Sequence, residues 1–345
     1  MNAIVHFKPG DADVLELIDR PLPDVGPTDI RVNIKVAGVN PTDIDARRSR
    51  TGKIQHFREP HVPGQDGAGV VDAFGHDVQG FAVGDRVWVW DAAWRRHEGT
   101  TQEYVVLPSH QVEHLPAEAT FDLGASLGIP ALTAHRALTS FADGPAELIP
   151  GALRGKTVLI QGGTGAVGHS AVQLAVWSGA EVITTVGDST KEALARTAGA
   201  HHVINYRDGN IRDEIKRVRP GGVDIIVEVN ARSNLPTDMS VIAPHGGISI
   251  YTAGGGETRV PSYQAMTKNV QFSFILTYTT AQVQKEAALR SVGLAVASGA
   301  LNVGSDAGLP ITRFPLSQAS AAHLAVERHV TGKVLIDVAT GGGPA

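Results

Sequence analysis

Gly163, Gly165 and Gly168 stand at the spacing G-x-G-x-x-G within VLIQGGTGAVGHSAVQLA, which runs from Val158 to Ala175. The motif follows an apolar run and opens a helix-like one, the setting in which such a loop holds the pyrophosphate of a dinucleotide. The three glycines then serve a tight turn, close approach of backbone to phosphate, and close packing of helix on strand. The helix start adds unpaired N–H groups and the positive end of its dipole. Val167, Ala171, Leu174 and Ala175 fall on one helical face, which supports the placement. A glycine-rich turn without a ligand is the bland alternative, and the flanking pattern weighs against it.

The second apolar run bears on which dinucleotide. A free ribose 2′-hydroxyl is met by Asp or Glu about 20 residues on, at the strand end. Here EVITTVG ends on Gly187, followed by Asp188, Ser189, Thr190 and Lys191. Glycine at the acidic position leaves room for a 2′-phosphate, and Lys191 offers it a point charge. Asp188 argues the other way, as a displaced ribose acid. The balance favours NADPH.

Other chemistry is scarce. The chain has no cysteine, which excludes disulfides, thiolate catalysis and cysteine-ligated metal sites. His110 and His114 are four apart in a stretch that reads as strand and turn, so no helical face pairs them. HExxH does not occur, and no metal site is expected. Tyr263 and Lys268 miss the Tyr-x-x-x-Lys spacing of short-chain dehydrogenases.

These residues need a scaffold, and the chain supplies it in two styles. Up to about residue 120 it reads as short strands broken by Gly and Pro. IRVNIKVAGVN alternates Val32, Ile34 and Val36 against Arg31, Asn33 and Lys35, the period of a half-buried strand. GAGVVDAFG, GDRVWVW and EYVVLP follow, which suggests a curled antiparallel sheet or barrel. From about Leu123 six apolar runs appear: KTVLIQGG, AEVITTVG, HHVINY, VDIIVEVN, GGISIYT and NVQFSFI. Most are separated by helix-like segments, the pattern of a parallel sheet covered on both faces. ITRFPL, a helix from about Ser317 to His329, and the strand KVLIDV return to the first style.

A length of 345 residues suits two domains, here 1–122 with 300–345, and 123–299. The net charge of −5 gives no basic field for nucleic acid and no polybasic membrane patch. No secretory leader or long apolar run is evident, so a cytoplasmic location is expected.

The whole arrangement resembles the medium-chain dehydrogenase/reductase superfamily, and within it the zinc-independent NADPH:quinone oxidoreductase (ζ-crystallin-like) family. The matching stretches are AGVNPTDIDARRS, VPGQDGAGVV, LGIPALTAHRAL, VLIQGGTGAVG, VINYR and TGKVLIDV. The resemblance implies an α/β fold: a doubly wound, six-stranded parallel Rossmann sheet plus a GroES-like, mostly antiparallel β-barrel catalytic domain. Zinc-dependent members of the superfamily carry Cys and His at two positions where this chain has Asn40 and Gln65. The implied catalytic positions are Asn40, Asp43, Asp45 and Thr133. Thr133 also belongs to the implied cofactor set, with Gly163, Thr164, Gly165, Ala166, Val167, Gly168, Gly187, Lys191, Tyr206, Asn230, Gly254 and Arg328. Asn40 is expected to donate to a substrate oxygen, with Asp45 a candidate proton source. Asp45 stands where many quinone reductases have Tyr. Trp90 and Trp94 are candidates for an aromatic wall, although large aromatics more often pack.

These features imply NADPH-dependent reduction of a quinone or enone. An enoyl-thioester reductase on the same scaffold is a rival; Arg47, Arg48 and Arg50 offer it a docking patch but read better as a solvated loop. A non-catalytic NADPH-binding sensor or structural protein is another. NVQFSFILTY reads as an exposed edge strand, so a homodimer or homotetramer is expected.

Overall fold

The computed structural model describes residues 1–49, 57–252 and 256–338. The chain divides into two compact units. Unit 1 holds Met1–Ile129 and the chain from Ile311 onward, and unit 2 holds Pro130–Pro310.

In unit 1, β1 (Asn2–Val5) and β2 (Glu16–Asp19) form an antiparallel ribbon. β3 (Asp29–Val39) is the spine of the larger sheet and leads into α1 (Pro41–Arg48). β4 (Asp66–Phe74), β5 (Arg86–Val89), β6 (Tyr104–Pro108) and β7 (Val112–His114) follow, then the short α2 (Phe121–Gly124). All ladders among β3 to β7 are antiparallel. Along β3 the predicted alternation holds: Val32, Ile34 and Val36 are buried while Arg31, Asn33 and Lys35 are half-buried on the other face.

Unit 2 opens with α3 (Leu132–Thr139) and then alternates strand and helix. The strands are β8 (Thr157–Gln161), β9 (Glu181–Val186), β10 (His202–Asn205), β11 (Val223–Glu228), β12 (Ile242–Ile250) and β13 (Gln271–Phe274). Between and after them run α4 (Ala166–Trp177), α5 (Ser189–Thr197), α6 (Ile211–Val218), α7 (Ala231–Val241), α8 (Ser262–Lys268) and α9 (Gln282–Ala297). The sheet order is β10-β9-β8-β11-β12-β13, and every ladder is parallel. Strands buried on both faces explain their near-continuous apolar sequences; β8 is buried at all five residues. The winding reverses between β8 and β11, which opens a crevice at their carboxyl ends.

The chain then returns to unit 1 as β14 (Ile311–Pro315), α10 (Ala319–Glu327) and β15 (Lys333–Asp337). β15 pairs antiparallel with the end of β3. The tail's likeness to the first third is therefore physical: it completes the same sheet. Among the described residues no helix is long and apolar enough to cross a membrane.

Candidate active site

In unit 1 a buried polar cluster forms where β3 gives way to α1. Asn40 caps the helix with extended backbone, and Pro41 takes the first helical position, where a missing N–H costs nothing. The Asn40 N–H donates to Asp43 Oδ2 at 2.8 Å. A carboxylate thus fixes the helix start, and the Asn40 side chain is left for other partners. Its Nδ2 donates to Asp66 Oδ1, and its Oδ1 accepts from Lys333 Nζ, both at 2.8 Å. Lys333 Nζ also lies 3.6 Å from Asp66 Oδ2, which accepts the Ile129 N–H at 3.2 Å. Lys333 is 2% exposed and Asp66 0%. A Cβ on Gly38 would fall 2.2 Å from Asp66 Oδ1 and 2.9 Å from Lys333 Nζ, so the ion pair can close only over glycine.

Asp43 has a different environment. Burial, with the Asp66 charge second, pushes its carboxyl up to about 7; the Asn40 N–H and Lys333 pull it partly back. Its Oδ1 is buried without a hydrogen-bond partner. A carboxyl poised there can give or take a proton near neutrality. In this cluster the raised acid is Asp43, while Asp45, two residues on, is half-buried. A cavity of about 50 Å³ adjoins Asp43 and is lined also by His6, Arg47, His61, Gln65 and Arg96. Burial lowers His61 to about 4, so it is neutral at physiological pH.

The arginine run needs correction. Arg47 is 0% exposed rather than part of a solvated loop. Its guanidinium donates to Gly10 O at 3.1 Å, to His323 Nδ1 at 3.2 Å and to Glu327. It is buried because three partners, Gly10 on one segment and His323 and Glu327 on α10, satisfy its fork of donors. Arg48 pairs with Asp11 and Glu327, and Arg50 lies outside the described residues. Trp90 is buried in the core and Trp94 half-buried; neither lines the cavity beside Asp43.

In unit 2 the glycine loop leaves β8 through Gly162, whose φ of 74° favours glycine. A Cβ on Gly163 would meet Thr184 Oγ1 at 2.1 Å, and one on Gly168 would meet Gly162 O at 2.3 Å. Those two glycines serve internal packing. Gly165 does not: a Cβ there would meet nothing nearer than Gly162 O at 3.6 Å, and its φ of −81° suits any residue. Gly165 caps α4 with no side chain to accept the first-turn N–H groups, which leaves them for an anion. Thr164 is buried, while Ala166 and Val167 in that first turn are less enclosed.

At the end of β9, Gly187 is buried under Tyr206, whose Oη would lie 2.4 Å from a Cβ added there. The Tyr206 N–H bonds Val186 O at 3.0 Å, which holds the ring at this strand end. Glycine therefore makes room for a phenol, and the phenol's hydroxyl is carried to the place where a 2′-group is expected. Asp188 caps α5, its Oδ1 accepting the Lys191 N–H at 2.9 Å, and its Oδ2 lies 3.6 Å from Lys191 Nζ. The bond from that backbone N–H is the main reason its carboxyl sits below the usual range. Asn230 begins α7 at the carboxyl end of β11. Thr133 is buried in α3. Arg328, at the end of α10, belongs to unit 1. Gly254 lies outside the described residues. Sequence reasoning missed Lys333 and Asp66 as members of the polar cluster; a lysine inside the apolar closing strand KVLIDV was the available signal.

A doubly wound parallel α/β unit built into the same chain as a mostly antiparallel sheet defines a class, that of the two-domain dehydrogenases and reductases. Residues 26–117 match the family model described as alcohol dehydrogenase GroES-like domain, and residues 166–292 that described as zinc-binding dehydrogenase. Quinone oxidoreductase of Sus scrofa is 32% identical over 342 residues, 97% of each chain. The solved structure of an NAD-dependent alcohol dehydrogenase has a TM-score of 0.83 at 27% identity, covering 98% of this chain and 100% of that one. A mycobacterial protein complexed with NADPH gives 0.80 at 26%, covering 97% and 99%. The chain belongs to the medium-chain dehydrogenase/reductase superfamily, among relatives of the quinone oxidoreductases, and is an oxidoreductase.

The zinc that one family description implies does not fit this donor set. Asn40 and Gln65 replace thiolate and imidazole, and both are engaged: Asn40 as above, Gln65 through Oε1, which accepts the Ala93 N–H at 3.2 Å. The positive charge beside Asp66 is already the ammonium of Lys333. Among the described residues no three His, Asp or Glu side chains gather as metal ligands.

Proposed function

We propose that this oxidoreductase uses NADPH to reduce a quinone or another conjugated carbonyl, without a metal. One observation carries the cofactor reading: Gly165 is a glycine that nothing inside the protein requires, placed where a pyrophosphate would press on the backbone. The Gly163–Gly168 loop would hold the pyrophosphate, and Lys191 and Tyr206 would meet the 2′-phosphate. Gly187, Asn230 and Thr133 would complete the cofactor's surroundings. Bound NADPH supplies a hydride.

The chain's own groups then have three duties. Unit 2 orients the cofactor and holds it away from water. Asn40 is fixed by Asp66 and Lys333, and one of its two Nδ2 hydrogens remains for an oxygen that gains charge. Asp43 keeps a proton near neutral pH and can release it to balance the hydride.

The test is NADPH oxidation, followed by absorbance, with a panel of quinones, enones and enoyl thioesters in the presence of a strong chelator. Turnover of 1,4-naphthoquinone-type acceptors is expected. Turnover of enoyl thioesters alone, dependence on zinc, or binding without turnover would each overturn the reading. The edge strand β13 exposes Phe274, with Leu276 just beyond it, as a surface for a second copy. Sedimentation should therefore show a dimer or larger at micromolar concentration, and a monomer would contradict that.

A further inference from the structure

Glu228 ends β11 and Asp238 lies in α7, the helix that follows; both are 0% exposed. Glu228 is well supplied with donors. Its Oε1 accepts from the Asn230 N–H and from Asn234 Nδ2 at 3.0 Å, and Asn234 Nδ2 also reaches Oε2 at 3.3 Å. Asp238 Oδ1 accepts from Gln161 Nε2 at 2.9 Å. The other Asp238 oxygen, Oδ2, is buried with no donor. Its carboxyl faces that of Glu228 at hydrogen-bonding range. Among the described residues neither carboxyl has an ion-pair partner. The other titratable group facing Glu228, just beyond the end of β12, is the Tyr251 phenol, held above its ordinary range by burial and by the charge on Glu228.

Two acceptors meeting in the interior without a cation cannot both stay ionised; one takes a proton. The orphaned Oδ2 is then one end of an acid–carboxylate hydrogen bond, a strong kind. Burial raises both carboxyls, and the charge on Glu228 raises Asp238 further.

This pair is one link in a longer series. Thr185 Oγ1 donates to Gln161 Oε1 at 2.6 Å and accepts the Gly162 N–H at 3.3 Å. Gln161 is the root of the glycine loop, Thr185 sits near the end of β9, and Asn230 opens α7. The hydrogen bonds therefore run beneath the carboxyl ends of β9, β8 and β11.

We propose that Asp238 is a positioning residue for the cofactor: a proton shared with Glu228 ties the root of the glycine loop to the turn at Asn230. This rests on the reading that those loops hold NADPH. Loss of the proton leaves two anions face to face and pushes the Asn230 turn away from β8. Both acids are raised, so the tie holds at lower pH and fails as pH rises.

The experiment measures NADPH affinity by fluorescence titration from about pH 7 to about pH 10 in wild type, Asp238→Asn and Glu228→Gln. Each amide keeps an oxygen for the shorter donor contacts, Glu228→Gln giving up only the 3.3 Å contact to Asn234, and supplies its own N–H across the pair, so neither variant needs the proton. Wild-type affinity should fall at least about tenfold toward alkaline pH, while both variants stay flat. Infrared difference spectra between wild type and Asp238→Asn at about pH 7, with Asp43 common to both proteins, should show a protonated carboxylic acid C=O band in wild type that Asp238→Asn removes. Variants titrating in parallel with wild type, or no such band, would overturn the proposal. A flat wild-type profile with tight binding overturns this proposal alone; no NADPH binding by wild type at neutral pH overturns the cofactor reading with it.

Discussion

The two units treat their polar residues in opposite ways. In unit 1 the cluster at the start of α1 is nearly complete within itself: Asp66 has Lys333, Asn40 bridges both, and Gly38 gives up its side chain so that they fit. In unit 2 the glycine loop is left incomplete. The first turn of α4 lacks a side-chain cap, and Gly165 is open on its outer side. A region that satisfies itself is built to stay in place under a substrate. A region left open at backbone N–H groups is built for an anion that arrives from outside.

The largest effect should come from breaking the self-sufficient side. Lys333→Met leaves Asp66 ionised, buried and unpaired, at a cost of about 3–5 kcal/mol in unfolding free energy. Denaturant melting reads this directly, and Asp66→Asn in the same chain should restore most of the loss. A loss below about 1 kcal/mol would mean water already reaches the pair.

Asp43→Asn sharpens the same side. A carboxyl held at about 7 in the folded chain, against an ordinary 3.8, binds more protons folded than unfolded. It therefore subtracts stability as pH rises from about 4 to about 7, by at most about 4 kcal/mol. The asparagine keeps an oxygen for the Asn40 N–H and cannot ionise. Wild type should lose stability relative to the variant across that interval, and parallel curves would show that Asp43 is not raised.

Gly165→Ala addresses the open side. The added methyl meets only ordinary contacts inside the protein, so stability should stay within about 0.5 kcal/mol. NADPH affinity should fall about tenfold, or about 1.4 kcal/mol, because the methyl stands between backbone and pyrophosphate. Unchanged affinity would make this glycine a turn residue and nothing more.

Much of this plan was legible in the chain. Six β-rich apolar runs became six parallel strands, the inner four, β8, β9, β11 and β12, because burial on both faces leaves no place for alternation, and the tail's short strands matched the first third because β15 pairs with β3. The glycine loop was legible because strand, spacing and helix all agree. The unit 1 cluster was not: Asp66 and Lys333 are far apart in sequence, and nothing local says that β15 delivers a lysine to the end of β3. Arg47 misled for the same reason. A charge run looks solvated until Gly10, His323 and Glu327 are brought around it. Glu228 and Asp238 were hidden because a helix turn, not a motif, carries one acid back toward the other.

The central claim is that unit 2 recognises NADPH by its 2′-phosphate, and Lys191 tests it most directly. A charge-assisted hydrogen bond contributes about 1.5–3 kcal/mol, so Lys191→Ala should weaken NADPH by about ten- to a hundredfold. NADH, which lacks the phosphate, should bind the variant about as it binds wild type. Titration of both cofactors into both proteins reads all four affinities. Preferential loss of NADPH affinity is the predicted result. Tighter NADH binding by wild type, or equal loss for both cofactors, would contradict it and would assign the strand end to Asp188 and a free ribose.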